Sequence, residues 1–143
     1  MALHELAARP LRTTQTILLG FPAALFTAGL VSDIAYLRTE VIQWTNFSQW
    51  LIAGAEVFTG LLLAWSLIAL VFQWRTPART AGLLLVVLLA VTFLMGLINS
   101  LQHSRDGWSS VGTTGLLLSI GSTLFAFGAA WVGTASATRE DAR

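Results

Sequence analysis

Four long apolar stretches, roughly Gln15–Leu37, Phe47–Phe72, Arg79–Leu101 and Ser110–Gly133, constrain this chain more than anything else in it. Each is long enough to cross a hydrocarbon core of about 30 Å as an α-helix. Only 10% of the 143 residues are charged, against about 25% in a soluble domain. That is too few to cover a water-soluble particle of this size, so the expected solvent for most of the surface is lipid. The connectors at Arg38–Asn46, Gln73–Ala78 and Gln102–Ser109 are short and polar, with Pro77 and Asp106-Gly107 as breakers. Short connectors make neighbouring helices antiparallel. The expected fold is all-α: a single polytopic membrane domain over residues 1–143, an antiparallel four-transmembrane-helix bundle. Arg9 and Arg12 precede the first apolar run as in a secretory signal. Its length, the interior Pro22 and the lack of a convincing small-x-small cleavage site point instead to a retained span.

Arginine placement sets an expected orientation. Arg9, Arg12, Arg75, Arg79, Arg139 and Arg143 fall on one side of a four-span chain, and only Arg38 and Arg105 on the other. The positive-inside rule then puts both termini in the cytoplasm. Tyr36, Trp44, Trp50 and Trp108 cluster at the outer interface, and Trp74 and Trp131 at the inner one, as an aromatic belt would. A net charge of +1 offers no field for nucleic acid, and the absence of cysteine excludes disulfides, thiolate metal sites, C-type haem attachment and palmitoylation.

Lipid weakens the hydrophobic drive between helices, so packing through small residues carries more of the association. Gly20, Ala24, Ala28 and Ser32 recur every four residues on the first span and form the expected contact stripe; Pro22, Phe26, Gly29 and Asp33 form a second one. Gly60 on span two, beside Ala64, and Gly115 on span four, with Ser119 and Thr123, are expected at helix contacts as well. Pro22 predicts a kink, because it lacks an N–H and crowds the carbonyl of Leu18.

Few polar residues could carry chemistry. Glu56 lies nine positions beyond Phe47, roughly 14 Å deep at about 1.5 Å per residue. A carboxyl group near the membrane midplane is expensive and marks either a proton or cofactor pathway or a protonated interhelical hydrogen bond. Asp33 sits one turn from the outer end of span one, where it can pair with Arg38 or Arg105. The run His103-Ser104-Arg105-Asp106-Gly107-Trp108, after Asn99 and Gln102, concentrates donors and acceptors at the same surface. His103 and Asp106 could shuttle a proton, but without a third ligand no metal site is expected. The same run also fits a helix end, a turn, an interfacial anchor and a cap. Glu56 is expected to face the bundle interior, with Arg105 paired to Asp33 or Asp106 above it.

The segments Leu18-Leu19-Gly20-Phe21-Pro22-Ala23-Ala24-Leu25-Phe26, Asp33-Ile34-Ala35-Tyr36, Trp50-Leu51-Ile52-Ala53-Gly54 and His103-Ser104-Arg105-Asp106-Gly107-Trp108 with Thr114-Gly115-Leu116 resemble the bacterial membrane-protein family catalogued as domain of unknown function 2231. The likeness covers about residues 14–133. It implies a four-span bundle in a bacterial inner membrane and brings no established activity. Many relatives carry a His-Pro pair, and often a further histidine before Phe-Pro, that make the family look like a small membrane cytochrome. Here Gln15-Thr16 and Gly20 stand at those positions. His4 and His103 are expected on opposite membrane sides, and Met95 and His103 share one helix two turns apart, so one chain cannot supply two axial ligands to a haem.

Two functions follow from the residues. One is a non-enzymatic accessory or assembly subunit that packs with partner helices or with itself, with no cofactor. The other is a small redox, quinone- or haem-associated, or proton-coupled component using Glu56, Asp33 and the His103 cluster.

Overall fold

The computed structural model describes residues 3–105 and 111–141. They form four long helices with no strand: α1 (Leu3–Thr39), α2 (Ile42–Gln73), α3 (Arg79–His103) and α4 (Gly112–Asp141). Each contains an apolar segment long enough to span a bilayer. Close backbone contacts join α1 to α2, α2 to α3, α3 to α4 and α4 to α1, and neither diagonal pair. The chain is therefore a square four-helix bundle in sequential order, as short connectors require.

The first connector is shorter than the nine-residue polar stretch suggests. Nothing between Trp44 and Phe47 breaks a helix, so α2 extends back to Ile42. The reversal rests on Glu40, whose φ of 55° is unusual for a residue with a Cβ. Its N–H closes the last turn of α1 on the Tyr36 carbonyl at 2.7 Å. α1 itself runs unbroken through Pro22, which is fully buried.

The bundle interior is layered. One apolar layer holds Ala23, Phe26, Ile52, Ala55 and Ala126. The next holds Leu19, Leu62, Leu89 and Ala129. Polar side chains gather beyond both layers, at either end, while Glu56, Thr59 and Thr92 lie between those ends. The outer surface is the reverse of a soluble protein's: Trp50, Val71, Phe72 and Trp131 are each more than 70% exposed. Apolar side chains so far out of contact with protein are in their favourable solvent only if that solvent is lipid.

The packing stripe expected on α1 is displaced. Gly20 and Ala24 are exposed, and nothing lies within 4 Å of where a Cβ on Gly20 would stand. Ala28 is half-buried and Ser32 buried. A strict four-residue repeat turns by about 40° per step around a helix of 3.6 residues per turn, so such a stripe cannot follow one straight contact. The face that is buried runs Leu19, Pro22, Ala23, Phe26, Gly29, Ser32, Asp33 and Tyr36, mixing steps of three and four. This is the second stripe of the sequence. The other small residues lie inside: Gly115 is buried, and a Cβ at Gly60 would stand 3.2 Å from the Phe93 ring.

Leucine at position 24 should therefore leave stability in detergent within about 0.5 kcal/mol of the parent, as at a surface site. Ala55→Leu and Ala126→Leu, which overfill the first apolar layer, should cost about 1–3 kcal/mol each. Thermal unfolding followed by circular dichroism checks this, and a loss at Ala24 as large as at Ala55 would show that the first stripe is the packed face.

Candidate functional site

The α1 carboxyl end, the α2 amino end, the α3 carboxyl end and the α4 amino end meet at one end of the bundle, and each supplies a buried polar side chain there. Asp33 of α1, Ser48 of α2, Asn99 and His103 of α3, and Ser119 of α4 are all at most 3% exposed. On α3 the buried face runs Leu89, Thr92, Gly96, Asn99, His103, at helical spacing. Asn99 and His103 thus point into the bundle from successive turns.

Hydrogen-bond directions fix the arrangement. His103 Nδ1 lies 2.9 Å from the carbonyl of Asn99. A carbonyl only accepts, so Nδ1 carries a proton. Nε2 lies 2.9 Å from Asp33 Oδ1. Two bare acceptors would repel there, so the His103–Asp33 pair holds one further proton between them. Ser48 Oγ donates to the Gly29 carbonyl at 3.2 Å and so presents a lone pair to Nε2 at 3.4 Å. That favours the proton on nitrogen: an imidazolium facing a carboxylate. The second carboxylate oxygen, Oδ2, accepts from Ser119 Oγ, which in turn accepts from Asn99 Nδ2 at 2.8 Å. The bonds close a ring that leaves Asn99 through its amide, crosses α4 and α1, and returns to the Asn99 backbone through His103.

The ring crosses a diagonal of the bundle. α1 and α3 have no close backbone contact, yet Asp33 and His103 meet between them. Arg105, the expected partner of Asp33, is exposed and donates to Gln102 Oε1 at 3.3 Å instead. An exposed guanidinium keeps its hydration, whereas histidine, two residues nearer the interior, reaches the carboxylate without leaving α3. Asp106 lies outside the described residues. Ser48 and Ser119 went unrecognised as members of the site, because a serine in an apolar helix also reads as a small packing residue.

Glu56 lies one layer deeper. Its carboxyl group rests against Gly96, where any Cβ would collide with Oε1 and with the Phe26 ring. Both carboxyl oxygens are buried without a hydrogen-bond partner, as is Asn99 Oδ1. The orientation of Asn99 follows from the ring: Ser119 gives its own proton to Asp33 and can only accept, so the Asn99 amide must face it and Oδ1 must face away.

The geometry tells several chemistries apart. In a hydrolase triad the acid and the nucleophile take opposite nitrogens of the histidine. Here Ser48 and Asp33 share Nε2, and Nδ1 is tied to its own helix. A haem iron would need a free imidazole nitrogen, and both nitrogens of His103 are engaged, so these residues do not fit that group. Among the described residues no three His, Asp or Glu come together as a metal cluster. What the site can do is hold one proton in a neutral, desolvated pair.

A family profile described as predicted membrane protein (DUF2231) matches residues 16–142. The chain belongs to that family. The match takes in all the site residues and all but the first part of α1. No curated protein and no solved structure matches the chain.

Removing one partner of a buried pair strands the other as an uncompensated charge, at about 3–5 kcal/mol. Asp33→Leu and His103→Leu should each cost that much. The double replacement should cost far less than the sum of the two, because no charge is left stranded. Equilibrium unfolding of the three variants measures the coupling; additive losses would mean that the pair does not form.

Proposed function

We propose that this protein is a small proton-coupled component of a bacterial inner membrane, with the Asp33 end of the bundle on the periplasmic side and both termini in the cytoplasm. The observation that carries the reading is a pair of buried acid sites: Asp33 Oδ1 at 2.9 Å from His103 Nε2, and, one layer deeper, a Glu56 carboxyl group with no hydrogen-bond partner. A carboxyl kept only for structure would use its donor or acceptor on a neighbouring helix, since buried polar groups are nearly always paired. An ionisable group left unpaired inside a membrane bundle instead suits one that gains and loses a proton. Asn99 stands between the two, one turn along α3 from Gly96, bonded on its amide side to the Asp33 ring and open on its carbonyl side. The arginine asymmetry supports the orientation.

Infrared difference spectra of the protein in lipid vesicles, taken across a pH titration, test this. A titrating carboxyl band should be assignable to Glu56, and Glu56→Gln should remove it while leaving the helical signal and the unfolding temperature unchanged. A titration indifferent to Glu56→Gln would reduce Glu56 to a structural group.

A second reading, an accessory subunit that packs against partner helices or a second copy, is favoured by the outward position of Gly20 and Ala24 on α1. Close backbone approach needs such an edge. If it is used, Gly20→Leu will dissociate a complex isolated in mild detergent without lowering the stability of the single chain. A particle size unaffected by Gly20→Leu would remove this reading.

A further inference from the structure

The end of the bundle opposite Asp33 is hollow. A cavity of about 240 Å³ lies among all four helices there, and its lining includes Gln15, Ser66, Gln73, Ala81, Gly82 and Ser136. Leu19 and Leu85 close it toward the middle of the bundle. The neighbouring layer is filled by Leu19, Leu62 and Leu89, whereas beyond Leu19 and Leu85 the walls of this one are mostly alanine, glycine, serine and glutamine. The hollow is therefore written into the choice of side chains.

Its chemistry is selective. The described residues lining it include no Asp, Glu, Arg, Lys or His. A phosphate or carboxylate would require a guanidinium or an ammonium group, and an ammonium ligand would require an acid or an aromatic cage. At this end, Arg79 stacks on the Trp74 ring at 3.9 Å, outside the cavity lining. The polar groups present are two carboxamides and the hydroxyls of Thr16, Ser66 and Ser136. Such groups both donate and accept hydrogen bonds without charge, so they match a carbonyl and a hydroxyl equally well. Gln15 Nε2 reaches Ser66 Oγ at 3.3 Å, and Gln73 Oε1 lies beside the bare Cα of Gly82. The two amides thus border the space from α1 and from the end of α2. Trp74 beside Arg79 is the pairing expected where a span meets lipid head groups.

We propose that this cavity binds the uncharged, oxygen-bearing head of a membrane-dissolved amphiphile, the class that includes prenyl quinones and neutral glycerides. A ring carbonyl would accept from the Gln15 or Gln73 amide, and a hydroxyl, of a quinol or a glyceride, would donate to the amide oxygen or to a serine. The site does not depend on the proton reading of the opposite end, and its failure would leave that reading intact.

The test uses the whole chain in non-ionic detergent with three probes: a decyl-substituted benzoquinone, dioleoylglycerol and phosphatidylglycerol. The thermal unfolding midpoint is titrated against each. A saturable rise is expected with the benzoquinone or with dioleoylglycerol, and which of them acts names the source of the head group. Ala81→Phe, which fills the cavity, should fold and bind that probe about tenfold more weakly or not at all. Gln73→Leu, which removes one amide, should weaken binding without altering the fold, and it decides the matter alone should Ala81→Phe not fold. No saturable effect from either neutral probe would overturn the proposal. So would an equal effect from phosphatidylglycerol, or neutral-probe binding unchanged in both variants.

Discussion

The contact between Asp33 and His103 organises one end of this bundle, because it ties together two helices whose backbones do not approach each other. In lipid, four apolar helices can slide and rotate past each other at little cost, since leucine is as well solvated by acyl chains as by another helix. A charge pair that must stay out of hydrocarbon removes that freedom. It fixes the rotation of α1 and α3 about their axes, and Ser119 and Ser48 then tie α4 and α2 to the same point. Buried pairs contribute more to specificity than to stability in some proteins, and here the ring selects one arrangement of four nearly featureless helices.

Much of this was legible in the sequence, for reasons that differ residue by residue. The four spans were visible because hydrocarbon thickness sets a length that apolar runs must meet. Glu56 and Asp33 stood out because a carboxylate in an apolar run has few innocent explanations. The partner of Asp33 did not follow. Arg105 is the stronger cation and lies two residues from His103, but depth decided for His103, and depth at a helix end changes within a single turn. The packing face of α1 was misjudged for a related reason. Small residues look like contact residues wherever they occur, and only the drift of a four-residue repeat around the helix shows that Gly20 and Ala24 leave the interface that Gly29 and Ser32 enter. Serine is ambiguous in the same way, as small as alanine and as polar as water, so Ser48 and Ser119 carried no signal of their own.

The layering follows from the same solvent. Two apolar layers separate a polar ring at one end from a polar cavity at the other. Hydroxyls between them are kept quiet by bonding back to their own helices, Thr59 to the Ala55 carbonyl and Thr92 to the Leu88 carbonyl. A threonine can do this because its hydroxyl reaches one turn back along the helix. A glutamate has no such local partner, which is why Glu56 alone among the midplane groups is left with both oxygens unbonded.

Gly96 shows that this position is built and not incidental. The carboxyl group of Glu56 occupies the space where a side chain at 96 would begin, with the Phe26 ring closing the other side. A glycine inside a helix costs roughly 0.5–1 kcal/mol relative to alanine, so its presence calls for a compensating contact. The contact it permits is with an acid that makes no hydrogen bond there. Three turns of hydrogen-bond logic lead to the same place: Asp33 can only accept, so Ser119 must donate to it; Ser119 must then accept from Asn99; and Asn99 is left with its carbonyl oxygen turned from the ring, one helical turn from Gly96. The unbonded oxygen on Asn99 is thus a consequence of Asp33 Oδ2 accepting from Ser119.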